Sequence, residues 1–156
     1  MSEHLCTVTW HRAGAAFVDG RYARAHEWRF DGGAVVPASA SPHVVPPPCS
    51  DPRGVDPEEA FVAALSSCHM LSFLWLASRR GLVVDAYEDD AIGRMGPNAH
   101  GRAAVVRVEL RPRIRFSGPR LPSDAEVAAL HHEAHDVCFI ANSVTTEVVV
   151  EPAPAP

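Results

Sequence analysis

The chain has 156 residues, 47% of them apolar and 21% charged, the balance of a soluble globular protein with enough length for one core. Its net charge of −5 and the lack of any basic run exclude the electrostatic footprint of a nucleic-acid binder. All 14 basic residues are Arg, so Schiff-base chemistry and a phosphate-loop lysine are excluded as well.

Met1-Ser2-Glu3-His4 offers no basic segment followed by an apolar one, so no secretory signal is read there and a cytoplasmic protein is expected. Leu5–His11 alternates as a short strand, with Cys6, Val8 and Trp10 expected on its core face. A turn region at 13–20 leads into a second alternating segment, Tyr22–Phe30. Tyr22, Arg24, His26, Trp28 and Phe30 share its inward face, whereas Arg21, Ala23, Ala25, Glu27 and Arg29 share the outward one. Asp31-Gly32-Gly33 is a turn signal. Seven prolines lie between Pro37 and Pro57, and residues 37–56 are expected as an irregular surface loop within the domain.

Asp56-Pro57-Glu58-Glu59 combines an N-cap carboxylate, a first-turn proline and acids that suit the positive helix end. The helix it opens is expected to run to about Arg80, with Gly81 ending it. Its middle, Ala60–Ala77, is an apolar run of about 18 residues, near the lower limit for a membrane span. Ser66, Ser67, His69 and Ser72 interrupt the run and Arg79-Arg80-Gly81 closes it, so a core helix and no membrane is expected.

Leu82–Ile92 and Arg102–Ser117 read as two strands of an antiparallel pair, joined by a turn with Gly93, Gly96, Pro97 and Gly101. In the second, Val106, Val108, Leu110, Ile114 and Phe116 alternate with Arg107, Glu109, Arg111, Arg113 and Arg115, giving one buried and one wet face. Pro112 places that strand at an edge or a bulge. Pro122-Ser123-Asp124 caps a second helix reaching Val137, Val144–Glu151 is a last strand, and the tail Pro152–Pro156 is expected to fray. The order β-β-α-β-β-α-β, with strands in pairs, predicts one α+β domain over residues 1–156.

The chemistry rests on the four cysteines, which stay reduced in a cytosol, so that a thiol pair there is transient and catalytic rather than a standing disulfide. Cys68 lies mid-helix. Cys138 follows the second helix and opens Cys138-Phe139-Ile140-Ala141-Asn142-Ser143. Cys6 is expected to be inert in the core and Cys49 to be a bystander in the loop. His131, His135 and Cys138 form a rival metal-ligand grouping, but the order His132-Glu133-Ala134-His135 lacks the HExxH spacing, and no metal site is expected. His69, beside Cys68 in sequence, points about 100° away from it around the helix, so a core hydrogen bond or pocket lining is expected of it rather than a Cys–His ion pair.

The segment from Asp56 through Cys68 to His69 resembles the "N-P-E-x-L…A-x-S-x-C" helix of the OsmC/Ohr family of peroxide reductases. Tyr87-Glu88-Asp89-Asp90-Ala91 and the Cys138 run are similar to an OsmC-like subgroup, so the likeness covers nearly the whole chain in order. The resemblance implies an intertwined homodimer, two central helices packed against antiparallel sheets, and active sites at the subunit interface. It implies a cofactor-free peroxidase that reduces organic hydroperoxides to alcohols, Cys68 being peroxidatic and Cys138 resolving. An external dithiol reductant, lipoyl-bearing proteins in the Ohr branch, regenerates the thiols.

A thiolate is the nucleophile, and burial disfavours it, so Cys68 needs a cation; the family supplies an Arg. Strand parity favours Arg24, with Arg21 in reserve. Glu58 matches the family's acid that holds that Arg, yet it stands about 15 Å from Cys68 along a continuous helix and acts only through the Arg or across an interface. The chain departs from the family where Phe139 replaces the commoner Pro and His69 replaces Phe. The other class of function is a non-catalytic OsmC-like module holding a small hydrophobic ligand at the dimer interface.

Overall fold

Three short strands, β1 (Cys6–Thr9), β2 (His26–Phe30) and β3 (Val35–Ala38), open the computed structural model, which describes residues 2–152. They form an antiparallel sheet in the order β1-β2-β3, with Cys6 opposite Phe30 and His26 opposite Ala38. The chain divides into two compact units, residues 1–60 and 61–156, each taken by itself below.

In the first unit the alternation at Tyr22–Phe30 becomes strand only from His26. Upstream of it the Arg24 N–H donates to the Cys49 carbonyl, and the guanidinium turns back onto the Gly20 and Tyr22 carbonyls, so this stretch serves a loop instead of a ladder. β3 was not foreseen, because its Pro37 sits at the head of the proline-rich stretch. Pro37 lacks a donor, but its carbonyl accepts from the Val55 N–H while Val55 accepts from Ser39. Gly54 allows that close return: a Cβ there would lie 2.8 Å from the Ala38 carbonyl carbon. β1 corrects a further expectation. Cys6 is exposed, as is Val8 at 62%, so this face of the strand is uncovered rather than in a core, while Trp10, just past the strand's end, packs on Phe17 and Tyr22.

Helix α1 (Pro57–Arg79) begins with a reciprocal cap: the Glu59 N–H donates to Asp56 Oδ1 and the Asp56 N–H to Glu59 Oε2. It ends where Gly81 takes φ 69°, with Gly81 N–H to Ser78 O and Leu82 N–H to Ala77 O, the paired bonds of a left-handed glycine stop. Only every fourth residue of its main part is buried: Leu65, His69, Phe73 and Ala77. An 18-residue window of this helix has mean hydropathy 1.7 but is only 22% buried.

The two expected strands after α1 are four. β4 (Val83–Asp89) and β5 (Ile92–Pro97) continue one another and pair antiparallel with β7 (Pro112–Ser117) and β6 (Ala103–Leu110), so one long ribbon bends at Asp90-Ala91 and Arg111. Pro112 marks that bend, opposite Asp89. β8 (Glu147–Val150) adds to β6 in parallel, the one parallel pairing among named strands of the described residues. Between β7 and β8 runs α2 (Asp124–Val137), opened by a capping box of Ser123 with Glu126.

Two apolar clusters share α1. Leu65 packs with Val108 and Leu110 towards β6 and β8, whereas Phe73 and Ala77 pack with Leu82, Leu130 and Ala134 towards β4, β7 and α2. Gly93 lets β5 approach the helix, since a Cβ there would meet Val62 Cγ2 at 2.5 Å. The architecture is α+β, with two helices and antiparallel sheets. The tail expected from Pro152 lies, from residue 153 on, outside the described residues.

Candidate active site

Cys68 occupies the stretch of α1 between the two apolar clusters, one turn past Leu65 and just over a turn before Phe73. It is only half-buried, contrary to the sequence expectation, because the apolar run has more faces than the clusters cover. Cys138 is the shielded thiol: as the C-cap of α2 it is 1% exposed. The Cys138 thiol abuts that of Cys68, and both are free. Burial first, and then the neighbouring Cys68 sulfur, push the Cys138 thiol up to about 11, although the backbone N–H groups of Ala141 and Ile140 oppose this. At neutral pH Cys138 therefore keeps its proton.

The segment after α2 builds a compact turn around that thiol. The Cys138 N–H donates to His135 O at 3.2 Å, and its carbonyl accepts from the Asn142 N–H at 3.0 Å. The Ala141 N–H points at Cys138 Sγ across 3.5 Å, Asn142 Nδ2 donates to Asp136 O at 2.9 Å, and the Ser143 hydroxyl donates to Phe139 O at 2.7 Å. Phe139 stands 81% exposed, and the turn closes through these bonds without it.

Two residues before Cys68, the Ser66 hydroxyl donates to Asp89, whose other oxygen accepts the Arg111 N–H at 2.6 Å. The Cys68 turn of α1 is thereby tied to the bend of the ribbon. Tyr87 packs on Phe73 with ring centroids 5.8 Å apart, and its buried hydroxyl has no partner among the described residues. Burial, with the Asp89 charge, pushes that phenol up.

His69 makes the core hydrogen bond expected of it, and the partner is His131, which the sequence had grouped with His135 as a metal ligand. His69 Nε2 and His131 Nδ1 lie 3.0 Å apart, with the rings within 7° of parallel. Nothing in the spacing of residues 69 and 131 announced the pair.

The matching family model is that of the OsmC-like proteins, over residues 50–153. The chain belongs to the OsmC-like family. It is 55% identical to an OsmC-like protein of unknown function from Vibrio cholerae O1 biovar eltor str. N16961, over 98% of this chain and all of that one, with a TM-score of 0.96. At 18% identity it shares the fold of an organic hydroperoxide resistance protein from Elizabethkingia anophelis (98% and 96% covered, TM-score 0.72). At 12% it shares that of an organic hydroperoxide resistance protein OsmC from Legionella pneumophila (100% and 98% covered, TM-score 0.66). No curated protein matches the chain.

Within this OsmC-like chain the remaining candidates lie in the first unit. The Arg24 guanidinium bonds the Gly20 and Tyr22 carbonyls and stacks on the Tyr22 ring, 3.8 Å from its centroid, while Arg21 is exposed. Arg24 is thus the half-buried arginine that strand parity singled out, although it precedes the strand. Glu59, not Glu58, makes the helix cap. Among the described residues Glu58 has no hydrogen-bond or ion-pair partner, so its carboxylate is not committed to closing α1.

Proposed function

We propose that the protein is a cytoplasmic, thiol-dependent peroxidase reducing organic hydroperoxides to alcohols. The adjoining thiols carry this reading: Cys68 is accessible and Cys138 is shielded and protonated, in a chain of the OsmC-like family. The Cys68 thiolate attacks the distal peroxide oxygen, the O–O bond breaks, and the alkoxide leaves and takes up a proton. Cys68 is left as a sulfenic acid. Cys138 then attacks that sulfur, the S–S bond forms, and the sulfenic oxygen departs as water with the Cys138 proton. An external dithiol returns two electrons and two protons. No cofactor takes part.

Arg24 supplies the positive charge that favours the Cys68 thiolate, from the same chain or from a second copy, and Glu58 orients it. A homodimer is supported by α1 itself: Ala64, Ser67, Leu71, Trp75 and Ser78 recur at helical spacing on an exposed face, with Leu71 at 61% and Trp75 at 59%. A second copy of the chain covers that stripe, and light scattering checks the mass.

Mass spectrometry after one equivalent of cumene hydroperoxide tests the chemistry. A Cys68–Cys138 bridge, lighter by about two mass units, is expected in the wild type, and a trapped Cys68 sulfenate in Cys138→Ala. Two thiols that stay reduced and titratable would overturn the reading. Arg24→Ala is expected to react slowly at pH 7 and to recover in part at pH 9; wild-type rates would clear Arg24 of the role.

A further inference from the structure

The buried pair His69–His131 joins the two helices that carry the thiols. It is the only hydrogen bond between α1 and α2 among the described residues. The Arg80–Glu133 ion pair lies beyond the end of α1, at the surface. His69 and His131 are 1% and 4% exposed, and Phe73 closes against His131 with ring centroids 4.5 Å apart. Each ring uses one nitrogen in the shared bond; the other, His69 Nδ1 and His131 Nε2, is buried without a partner. Burial pushes both rings down to about 4, so they meet as neutral imidazoles.

Such a pair is a poor device for stability, because its two outer nitrogens lose water and gain nothing. It is a good device for direction. The contacts among the apolar neighbours Phe73, Leu130 and Ala134 are non-directional, whereas a hydrogen bond has one donor, one acceptor and a narrow geometry. Its place is also specific: His69 follows Cys68 directly, and His131 precedes Cys138 by seven residues, about 10 Å along α2 and two turns. A slip of α2 by one residue would move Cys138 about 1.5 Å and swing it about 100°. Disulfide closure needs Cα atoms about 4.4–6.8 Å apart with matched Cβ directions, which such a slip would forfeit.

We propose that the His69–His131 hydrogen bond sets the register of α2 on α1 and so positions Cys138 for closure onto Cys68. His69 and His131 are positioning residues and touch no substrate. The proposal rests on the Cys68–Cys138 bridge of the peroxidase reading, but its test does not need a peroxide. Glutathione disulfide oxidises the two thiols, releasing two glutathione molecules as the S–S bond forms. The oxidised fraction across glutathione buffers then gives the effective concentration of one thiol towards the other.

Three variants of the whole protein separate geometry from bulk. His131→Asn keeps a polar atom near the Nδ1 position that makes the bond, His131→Gln offers one near Nε2 instead, and His131→Leu offers none. We expect His131→Leu and His131→Gln to lower the effective concentration about tenfold, the weight of one lost hydrogen bond, and His131→Asn to restore it to within about threefold of wild type. A Leu variant that closes as well as wild type overturns the proposal. So does an Asn variant that fails as badly as Leu, or a Gln variant that rescues as well as Asn. If the Leu variant does not fold, the contrast between Asn and Gln decides alone. A wild type that closes the bridge in glutathione yet ignores cumene hydroperoxide sinks the peroxidase reading, while the order of the three variants still decides the register.

Discussion

Cys68 and Cys138 face the same problem from opposite kinds of structure. Cys68 is held by an unbroken helix between two apolar clusters, so its backbone has almost no freedom, yet its side chain reaches the surface. Cys138 stands where a helix has ended, on a turn of its own hydrogen bonds, yet it is almost wholly enclosed. Rigidity and burial, which usually travel together, are here on different residues. In the proposed cycle the accessible thiol is the one that meets the peroxide. The enclosed thiol, pushed up to about 11 chiefly by burial, keeps its proton at neutral pH.

Exchanging each thiol in turn should break this contrast most sharply. Cys68→Ser is expected to abolish hydroperoxide consumption, by about a thousandfold or more, because it removes the nucleophile itself. Cys138→Ser should leave the first oxidation within a few-fold of wild type and stop the cycle at the sulfenate. Single-turnover consumption followed by sulfenate trapping reads both. Equal losses in the two variants would mean that the thiols are not divided in this way.

Phe73 is the next largest lever. It is fully buried and packs on Tyr87, Phe116 and His131, tying α1 to the ribbon and to α2. Phe73→Ala should cost about 3–5 kcal/mol in urea unfolding. The exposed Trp75, two residues on, carries no comparable load within the chain, so Trp75→Ala should leave the unfolding free energy of dilute, monomeric protein within about 0.5 kcal/mol. A large loss at Trp75 under those conditions would show that α1 is not one-sided.

The histidine pair predicts a pH window. His69 and His131 sit near 4 when folded against 6.5 in the ordinary state, through burial, with His131 and His135 adding to the effect on His69 and Asp89 opposing it. Between those values the unfolded chain binds more protons, so stability is complete above pH 6.5 and is lost as the pH falls towards 4. Between pH 7 and pH 5 each ring should account for up to about 2 kcal/mol, because the unfolded chain binds a proton at both, read as a shift in urea midpoint. Glu109, held down to about 2 chiefly by its hydrogen bond to Arg94, should lose its contribution only below about pH 4.5, outside most of this window. A flat profile from pH 7 to 5 would show the rings to be solvated.

How far the sequence announced this arrangement follows from which signals are local. The caps of both helices and the glycine stop at Gly81 were legible, since each depends on a few adjacent residues. The motif around each cysteine pointed to the two thiols as a pair, but not to Cys68 as the more exposed of them. The bend that makes four strands out of two was not, because only Pro112 marks it and a bulge or an edge explains a proline equally well. Nor was the burial of Glu109, which alternation had placed on the wet face. There it is enclosed by Arg94, Arg107 and Arg111, two of them its near neighbours and one from the paired strand. The exposed core-side residues of β1 and the uncovered face of α1 share another cause: period shows which residues align, not what stands opposite them. His69 with His131 is of the same kind, a contact between helices that no local pattern encodes.

The smallest effect concerns the two ends of α2. Ser123→Ala removes the N-cap acceptor, and Asn142→Ala removes the donor to Asp136 O beyond the C-terminal end; each should cost about 1 kcal/mol or less. Equal in stability, the two should differ at Cys138. Asn142 belongs to the turn that encloses the thiol, so its loss should let that turn open more often and raise the rate of Cys138 alkylation several-fold. Loss of the cap frays α2 some fifteen residues away from the thiol, behind the His69–His131 bond, and should leave that rate unchanged. Alkylation in Cys68→Ser backgrounds isolates the one thiol from the other. Should Ser123→Ala expose Cys138 as much as Asn142→Ala does, the thiol is guarded by the helix as a whole, and the division between a rigid site and a hinged one fails at its second half.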